Sequence, residues 1–195
     1  MNQTVANPPF LVGEKVTLRP VNPDTDLDPC WRWVNDPDIR PLISRRVPVS
    51  REEEREWIVR RSPSDIVFSI ELNPDRRLIG VISLHRIDWI NRHAASGTII
   101  GEADSWGKGY GTEAKTLLLG YAFRTLGLHR VSSSVFATNE RSLRCQLKCG
   151  YVEEGRRRKA YFINGEWVDE VLLGVLADEW LVRFPSALHK RLPTS

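Results

Sequence analysis

The chain has 195 residues, a mass of 22.3 kDa and a formal net charge of +3. With 41% hydrophobic and 27% charged residues it has an ordinary globular composition, which excludes a disordered chain, and no apolar run approaches the ~20 residues that span a bilayer. The charge excess is mild for a nucleic-acid binder, and the three cysteines cannot all pair within one chain.

In chain order, Val16 to Pro20 reads as a short strand ended by its proline. Asn22 to Asp28 is a turn-rich approach to a helix carrying Trp31, Trp33 and Val34, which stops near Asn35-Asp36-Pro37. Ser50 and Glu53 form a capping box that opens a charged helix holding Trp57 and Ile58. Phe68, Ile70 and Leu72 alternate with Val67, Ser69 and Glu71, the period-two pattern of a half-buried strand. The turn Asn73-Pro74-Asp75 leads into a second hairpin arm over Leu78 to Ile87. Asp88 to Ala95 then connects to a third strand ending near Ile99-Ile100-Gly101-Glu102.

The stretch from Asp104 to Thr112 is a glycine-rich turn that opens directly into a helix. Ala114, Leu117, Leu118, Tyr121 and Ala122 share one face of that helix, and Gly127 is suited to end it. Arg130 to Phe136 reads as a strand, and Asn139 to Lys148 as a short helix closed by Gly150. Tyr151 to Phe162 and Trp167 to Leu176 form a hairpin around Asn164-Gly165. The basic run Arg156 to Lys159, beside Glu153-Glu154, is either a solvated strand edge or an attractor for an anionic group such as a nucleotide phosphate.

A helix N-terminus leaves amide N–H groups unpaired and carries about half a positive charge. Glycines at 107, 109 and 111 allow close approach of a ligand, which makes the loop a candidate pyrophosphate site or else a tight structural turn. Lys108 is followed by Gly109, so this is not a P-loop, and the spacing also lacks the dinucleotide fingerprint.

The run Trp106-Gly107-Lys108-Gly109-Tyr110-Gly111-Thr112-Glu113-Ala114 resembles the GNAT superfamily of N-acetyltransferases, in particular its ribosomal-protein N-terminal (RimJ/RimL-like) branch. Leu128-His129-Arg130-Val131, Asn139-Glu140-Arg141-Ser142, Lys148-Cys149-Gly150-Tyr151, Glu154-Gly155 and Asp169 extend the likeness over about Val16 to Trp180. The resemblance implies an α/β acyl-CoA N-acyltransferase fold, with a mixed, mostly antiparallel, splayed sheet flanked by helices. It implies transfer of an acetyl group from acetyl-CoA to a primary amine by direct transfer in a ternary complex. A CoA-binding sensor or scaffold with weak or lost catalysis is the alternative. The amine acceptor is a protein N-terminus, a polyamine or an aminoglycoside-like small molecule, and a homodimer is a common assembly in the branch.

On the same basis Gly107, Lys108, Gly109, Tyr110, Gly111 and Thr112 would hold the pyrophosphate, with Trp106 where the superfamily often has Gln or Arg. Backbone groups of Ile100, Gly101 and Glu102 would pair with the pantetheine arm, and Asn139 and Ser142 would contact the coenzyme. Asn139 also reads as a plain helix N-cap. Glu102 is the leading candidate base, with Glu71, His85 and Asp169 behind it, and Ser142 the candidate partner of the sulfur. Gln146 stands where many relatives carry a tyrosine that protonates the thiolate, and an amide cannot give up a proton near neutral pH.

The acceptor cleft is expected between Asn35 to Val49 and Arg158 to Trp167, whose Arg40, Arg45, Arg46, Arg158 and Lys159 disfavour a strongly cationic polyamine. A single domain over 1–195 is expected, with its core at about 14–180 and terminal extensions at 1–13 and 181–195. No signal peptide is visible, so the expected location is cytoplasmic, with no membrane or nucleic-acid partner. No metal is expected, because Cys145 and Cys149 lack the paired spacing of a zinc site.

Overall fold

The computed structural model describes residues 7–43, 45, 47–59 and 65–185. Strands β1 (Leu11–Val12) and β2 (Val16–Pro20) precede helix α1 (Pro23–Asn35). Asn22 caps α1 by accepting from the Asp24 N–H at 2.9 Å, and the proline at the first helical position has no N–H to lose there. Helix α2 (Arg51–Val59) begins with the expected reciprocal box: the Ser50 N–H donates to Glu53 Oε2 at 2.7 Å and the Glu53 N–H to Ser50 Oγ at 3.2 Å.

Strands β3 (Ile66–Leu72), β4 (Leu78–Asp88) and β5 (His93–Ile100) continue the sheet. Two expectations change here. Strand β3 is buried on both faces from Val67 to Leu72, because α1 covers the side that carries Ser69 and Glu71. There Arg19 reaches Asp26 at 2.6 Å and also pairs with Glu71, while Ser69 Oγ donates to Asp26 at 2.6 Å and Arg76 pairs with Glu71 at 2.6 Å. The β4–β5 connection is also shorter than expected. Asp88 Oδ1 accepts from the N–H groups of Ile90 and Asn91, the chain reverses by Arg92, and β5 starts at His93.

Helix α3 (Tyr110–Gly120) runs on through a wider π turn over Tyr121–Thr125. Strand β6 (Arg130–Phe136), helix α4 (Glu140–Lys148) and the long hairpin β7 (Val152–Ile163) and β8 (Glu166–Leu176) follow. Asn164 and Gly165 both have positive φ at the hairpin turn, as a two-residue loop of matching twist requires. Arg156 pairs with Glu153 at 2.7 Å and Arg157 with Glu170 at 2.9 Å, so these two arginines of the basic run lie on a paired strand edge. Helix α5 (Ala177–Arg183), which the sequence reading passed over, inserts Trp180 into the core, where its indole N–H donates to Cys149 O at 3.0 Å.

The strands form one sheet in the order β1-β2-β3-β4-β5-β6-β8-β7. Every pairing is antiparallel except β5 with β6, and that parallel pairing lasts only from His93–Arg130 to Ala95–Ser132. Beyond Ala95 the two strands part. One face packs Leu18, Ile70, Ile82 and Leu84 against Leu118 and Ala122, and the other packs Val67 and Val81 against Leu27, Trp33 and Ile58. Strands β2–β4 are thus covered on both faces, whereas β7, at the far edge beyond the split, is largely exposed.

Candidate active site

A groove of about 590 Å³ fills the opening between β5 and β6. Its walls are residues 96–100 and 133–136, with α3 at one end and α4 along one side. The start of α3 faces it. Gly109 is the N-cap residue, with φ +86 and no side chain to cap the helix, whereas α1 and α4 are capped by Asn22 and Asn139. Gly109, Tyr110, Gly111 and Thr112 all line the groove, so the free first-turn amides are turned to a ligand there. Lys15 Nζ would sit 3.9 Å from a Cβ at Gly109, which adds a cation beside the loop that sequence order did not reveal.

The remaining expected residues divide. Ile100, Trp106, Gly107, Asn139 and Ser142 line the groove. Trp106 folds back so that its indole N–H donates to Ile100 O at 2.7 Å, and Arg141 lies 3.7 Å over its ring. Asn139 spends its carbonyl oxygen on the Ser142 N–H at 3.1 Å, so the capping role is realised at the groove wall. Gly101, Glu102 and Lys108 are not brought to the groove. The Gly101 N–H donates to Ile79 O at 2.9 Å, and a Cβ there would fall 2.0 Å from the Trp33 ring. Glu102 Oε1 accepts from the Trp33 indole at 3.0 Å, and Lys108 is exposed. Glu102 therefore positions Trp33 rather than facing the split strands.

Glu71 belongs to the buried ion network described above, and Asp169 Oδ1 accepts from the Lys159 N–H at 2.9 Å on the outer hairpin. His85 is different. It lines a second cavity of about 470 Å³, and its Cε1 lies 3.6 Å from where a Cβ on Gly97 would stand, at the point where β5 leaves β6. Burial, reinforced by Arg86, lowers the His85 pKa, which favours the neutral imidazole, and its Nδ1 lies 3.4 Å from Ser83 Oγ. Cys30, Trp33, Val34, Trp57, Val67 and Val81 give this cavity an apolar wall, and Ile43 and Ile99 line both cavities. Burial pushes the Cys30 thiol up to about 12 and raises the Glu54 carboxyl, which has Arg45 at 3.8 Å. Arg46 lies outside the described residues.

Several polar groups at the base of the groove were not foreseen. Lys115 is fully buried, and its Nζ donates to Ser96 Oγ at 3.0 Å. Ser96 Oγ is 2.8 Å from the Tyr151 hydroxyl, and Gln146 Nε2 donates to Ser133 Oγ at 2.9 Å. Gln146 Oε1 and Thr98 Oγ1 are buried without a hydrogen-bond partner among the described residues. Orphaned polar atoms on a groove wall fit a ligand that carries its own amides. Among the described residues no cluster of His, Cys, Asp or Glu could hold a metal, and no helix is long and apolar enough to cross a membrane.

Residues 15–152 match the family described as "Acetyltransferase (GNAT) domain". Bacillus subtilis YokL, a prophage-derived N-acetyltransferase, is 26% identical over 172 residues, covering 88% of this chain and 95% of its own. YdaF of the same organism, provisionally named a ribosomal N-acetyltransferase, is 36% identical over 137 residues, or 68% of this chain and 74% of its own. The crystal structure of Vibrio cholerae spermidine N-acetyltransferase in complex with CoA and spermine superposes with a TM-score of 0.78 at 27% identity, covering 85% of this chain and 98% of that one.

Proposed function

The chain belongs to the acetyltransferase (GNAT) family and is an acetyl-CoA-dependent acetyltransferase, and from that premise we propose that it acetylates a primary amine carried on an apolar body, by direct transfer between its two cavities. The observation that carries this reading is the meeting of the two cavities at Ile43 and Ile99, beside the split of β5 from β6. The groove, with the uncapped start of α3, suits a coenzyme with a pyrophosphate and a pantetheine arm. The second cavity suits the acceptor. Its walls are mostly apolar and aromatic, and its two cations, Arg45 and Arg86, are matched by the carboxylates Glu54 and Asp65, so the apolar wall is what selects. That wall favours peptide N-termini with an apolar second residue, or arylalkylamines, over spermidine, the substrate in the name of the Vibrio cholerae relative.

His85 is the base in this reading. An acceptor ammonium must lose a proton before its lone pair attacks, and a neutral imidazole at the seam of the cavities takes it directly or through one water. Ser142 and Asn139 hold the coenzyme from the α4 side. A thiol-release assay over N-terminal peptides, arylalkylamines, aminoglycosides and spermidine tests the acceptor class. Spermidine should be at least ~10-fold poorer than the best apolar amine, and the reverse order would overturn the assignment. Coenzyme binding without thiol release for any amine would instead identify a sensor. His85→Gln should lower the rate at pH 7 by ~10²-fold with coenzyme affinity retained, against a few-fold for Glu102→Gln. Equal effects would remove His85 from the role.

A further inference from the structure

Lys115 is a lysine on a buried side of α3. Ala114, Leu117, Leu118 and Leu119 around it are buried in the core, and Lys115 itself is 1% exposed. A buried ammonium is costly unless something compensates it. No carboxylate pairs with it among the described residues. Its neighbours are the Ser96 hydroxyl from β5, the Tyr151 ring from the turn after α4, and the Cys145 and Cys149 thiols from α4. Tyr151 is held up by burial and Cys149 by its hydrogen bond with Cys145, so both stay neutral, while Cys145 is drawn down by the same bond. Lys115 also lines the groove, and its amine is bonded to Ser96, one residue beyond the last paired residue of β5 with β6. It is thus a desolvated cation, held by a hydroxyl, facing a space that accepts a ligand.

We propose that Lys115 is the group that first stabilises and then protonates the departing sulfur of the coenzyme. The inference rests on the coenzyme assignment made above. As the acceptor nitrogen forms its bond to the acetyl carbon, the carbon–sulfur electron pair stays with sulfur as a thiolate. One proton passes from the Lys115 ammonium to that sulfur, giving the free thiol and a neutral amine. Lys115 then recovers a proton from solvent. The acceptor ammonium has lost two protons, one balancing the new thiol and one released. Burial lowers the Lys115 pKa to about 8, close to the ~8.5 of a free thiol, so the proton moves between groups of matched affinity. The geometry also accounts for Gln146, since a cation beside the sulfur removes the need for an acidic side chain at that position.

The test uses coenzyme A itself, in its free thiol form, bound to the full chain. Thiolate absorbance near ~240 nm is titrated from pH 5 to 10, with desulfo-coenzyme A as the blank to subtract Cys145 and the other protein groups. In the parent, the bound thiol should ionise at least one pH unit below free coenzyme A, a ~10-fold shift, and Lys115→Met should abolish that shift while binding is kept. A bound thiol in the parent no more acidic than the free coenzyme overturns the inference, and needs no variant to fold. An unchanged shift in Lys115→Met also overturns it. Intact-mass analysis after incubation with acetyl-CoA gives a further outcome: acetylation of Lys115 would make it a nucleophile instead and sink the proposal. Failure of the parent to bind coenzyme A at all would defeat the underlying site assignment, a result distinct from binding without the acidic shift.

Discussion

Two buried charged clusters lie in the same sheet and behave in opposite ways. Around Arg19, every charge has a partner: Asp26 and Glu71 take its guanidinium, Ser69 and the Asn22 N–H complete Asp26, and Arg76 completes Glu71. Around Lys115, among the described residues, there is only a hydroxyl, thiols and a phenol, and Thr98 Oγ1 and Gln146 Oε1 elsewhere on the groove wall have no partner among them. The first cluster fastens α1 to β2 and β3 and is closed to ligands. The second lines a groove and is incomplete without one. Satisfaction of the polar groups, rather than burial or charge as such, separates a structural cluster from a chemical one.

The largest expected effect breaks that contrast directly. Arg19→Met removes the cation shared by two buried carboxylates, leaving Asp26 with neutral donors alone and Glu71 with Arg76, and should cost about 3–5 kcal/mol of unfolding free energy in urea. Lys115→Met removes a buried charge that no carboxylate among the described residues pairs, and should leave the protein as stable or more so at pH 7. The two curves should also differ with pH. Lys115 has a folded pKa of about 8 against 10.5 for an unperturbed lysine, so between those values the unfolded chain binds more protons. Stability of the parent therefore rises with pH across that window, relative to Lys115→Met, by on the order of 3 kcal/mol. A flat difference between pH 7 and pH 10.5 would mean that Lys115 is hydrated in the folded protein.

A smaller effect sharpens the groove side of the comparison. Gly109→Val must place a β-branched residue at φ +86, where side chains are strained, at the start of the helix whose amides face the groove. Coenzyme A affinity should fall by at least ~10-fold, equivalent to ~1.4 kcal/mol, in calorimetry on a variant that still folds. Unchanged affinity would reduce the loop to a turn. The smallest effect belongs to Gln146→Ala. It removes one neutral hydrogen bond to Ser133, worth ~0.5–1.5 kcal/mol, and should cost under ~10-fold in rate. A loss of ~10³-fold with affinity intact would place the amide itself in the chemistry.

Much of this molecule is local and was legible in its residues. The capping box at Ser50 and Glu53, the Asn139 cap, the Asn164-Gly165 hairpin and the glycine loop into α3 each depend on contacts within a few residues, and each formed as read. The site was less legible. Strand β3 looked half-buried because Ser69 and Glu71 are polar, but an arginine from β2 and an aspartate from α1 neutralise that face. Glu102 looked like a base because it ends the strand before the loop, and its carboxylate instead turns to Trp33. Lys115 was passed over although a lysine amid Ala114, Leu117 and Leu118 is out of place on a buried helix. That mismatch was the available signal.

By itself the sequence determined the order of elements, the loop that presents free amides, and the family, because these rest on short-range hydrogen bonding, backbone conformation and residue spacing. Only the tertiary structure decided which titratable groups share a cavity. His85 meets the split strands, and Lys115 the groove, through pairing and packing between elements that are separated by tens of residues in the chain. Desolvation sets the proton affinities of both groups, and desolvation is a property of the packed interior that no single segment carries.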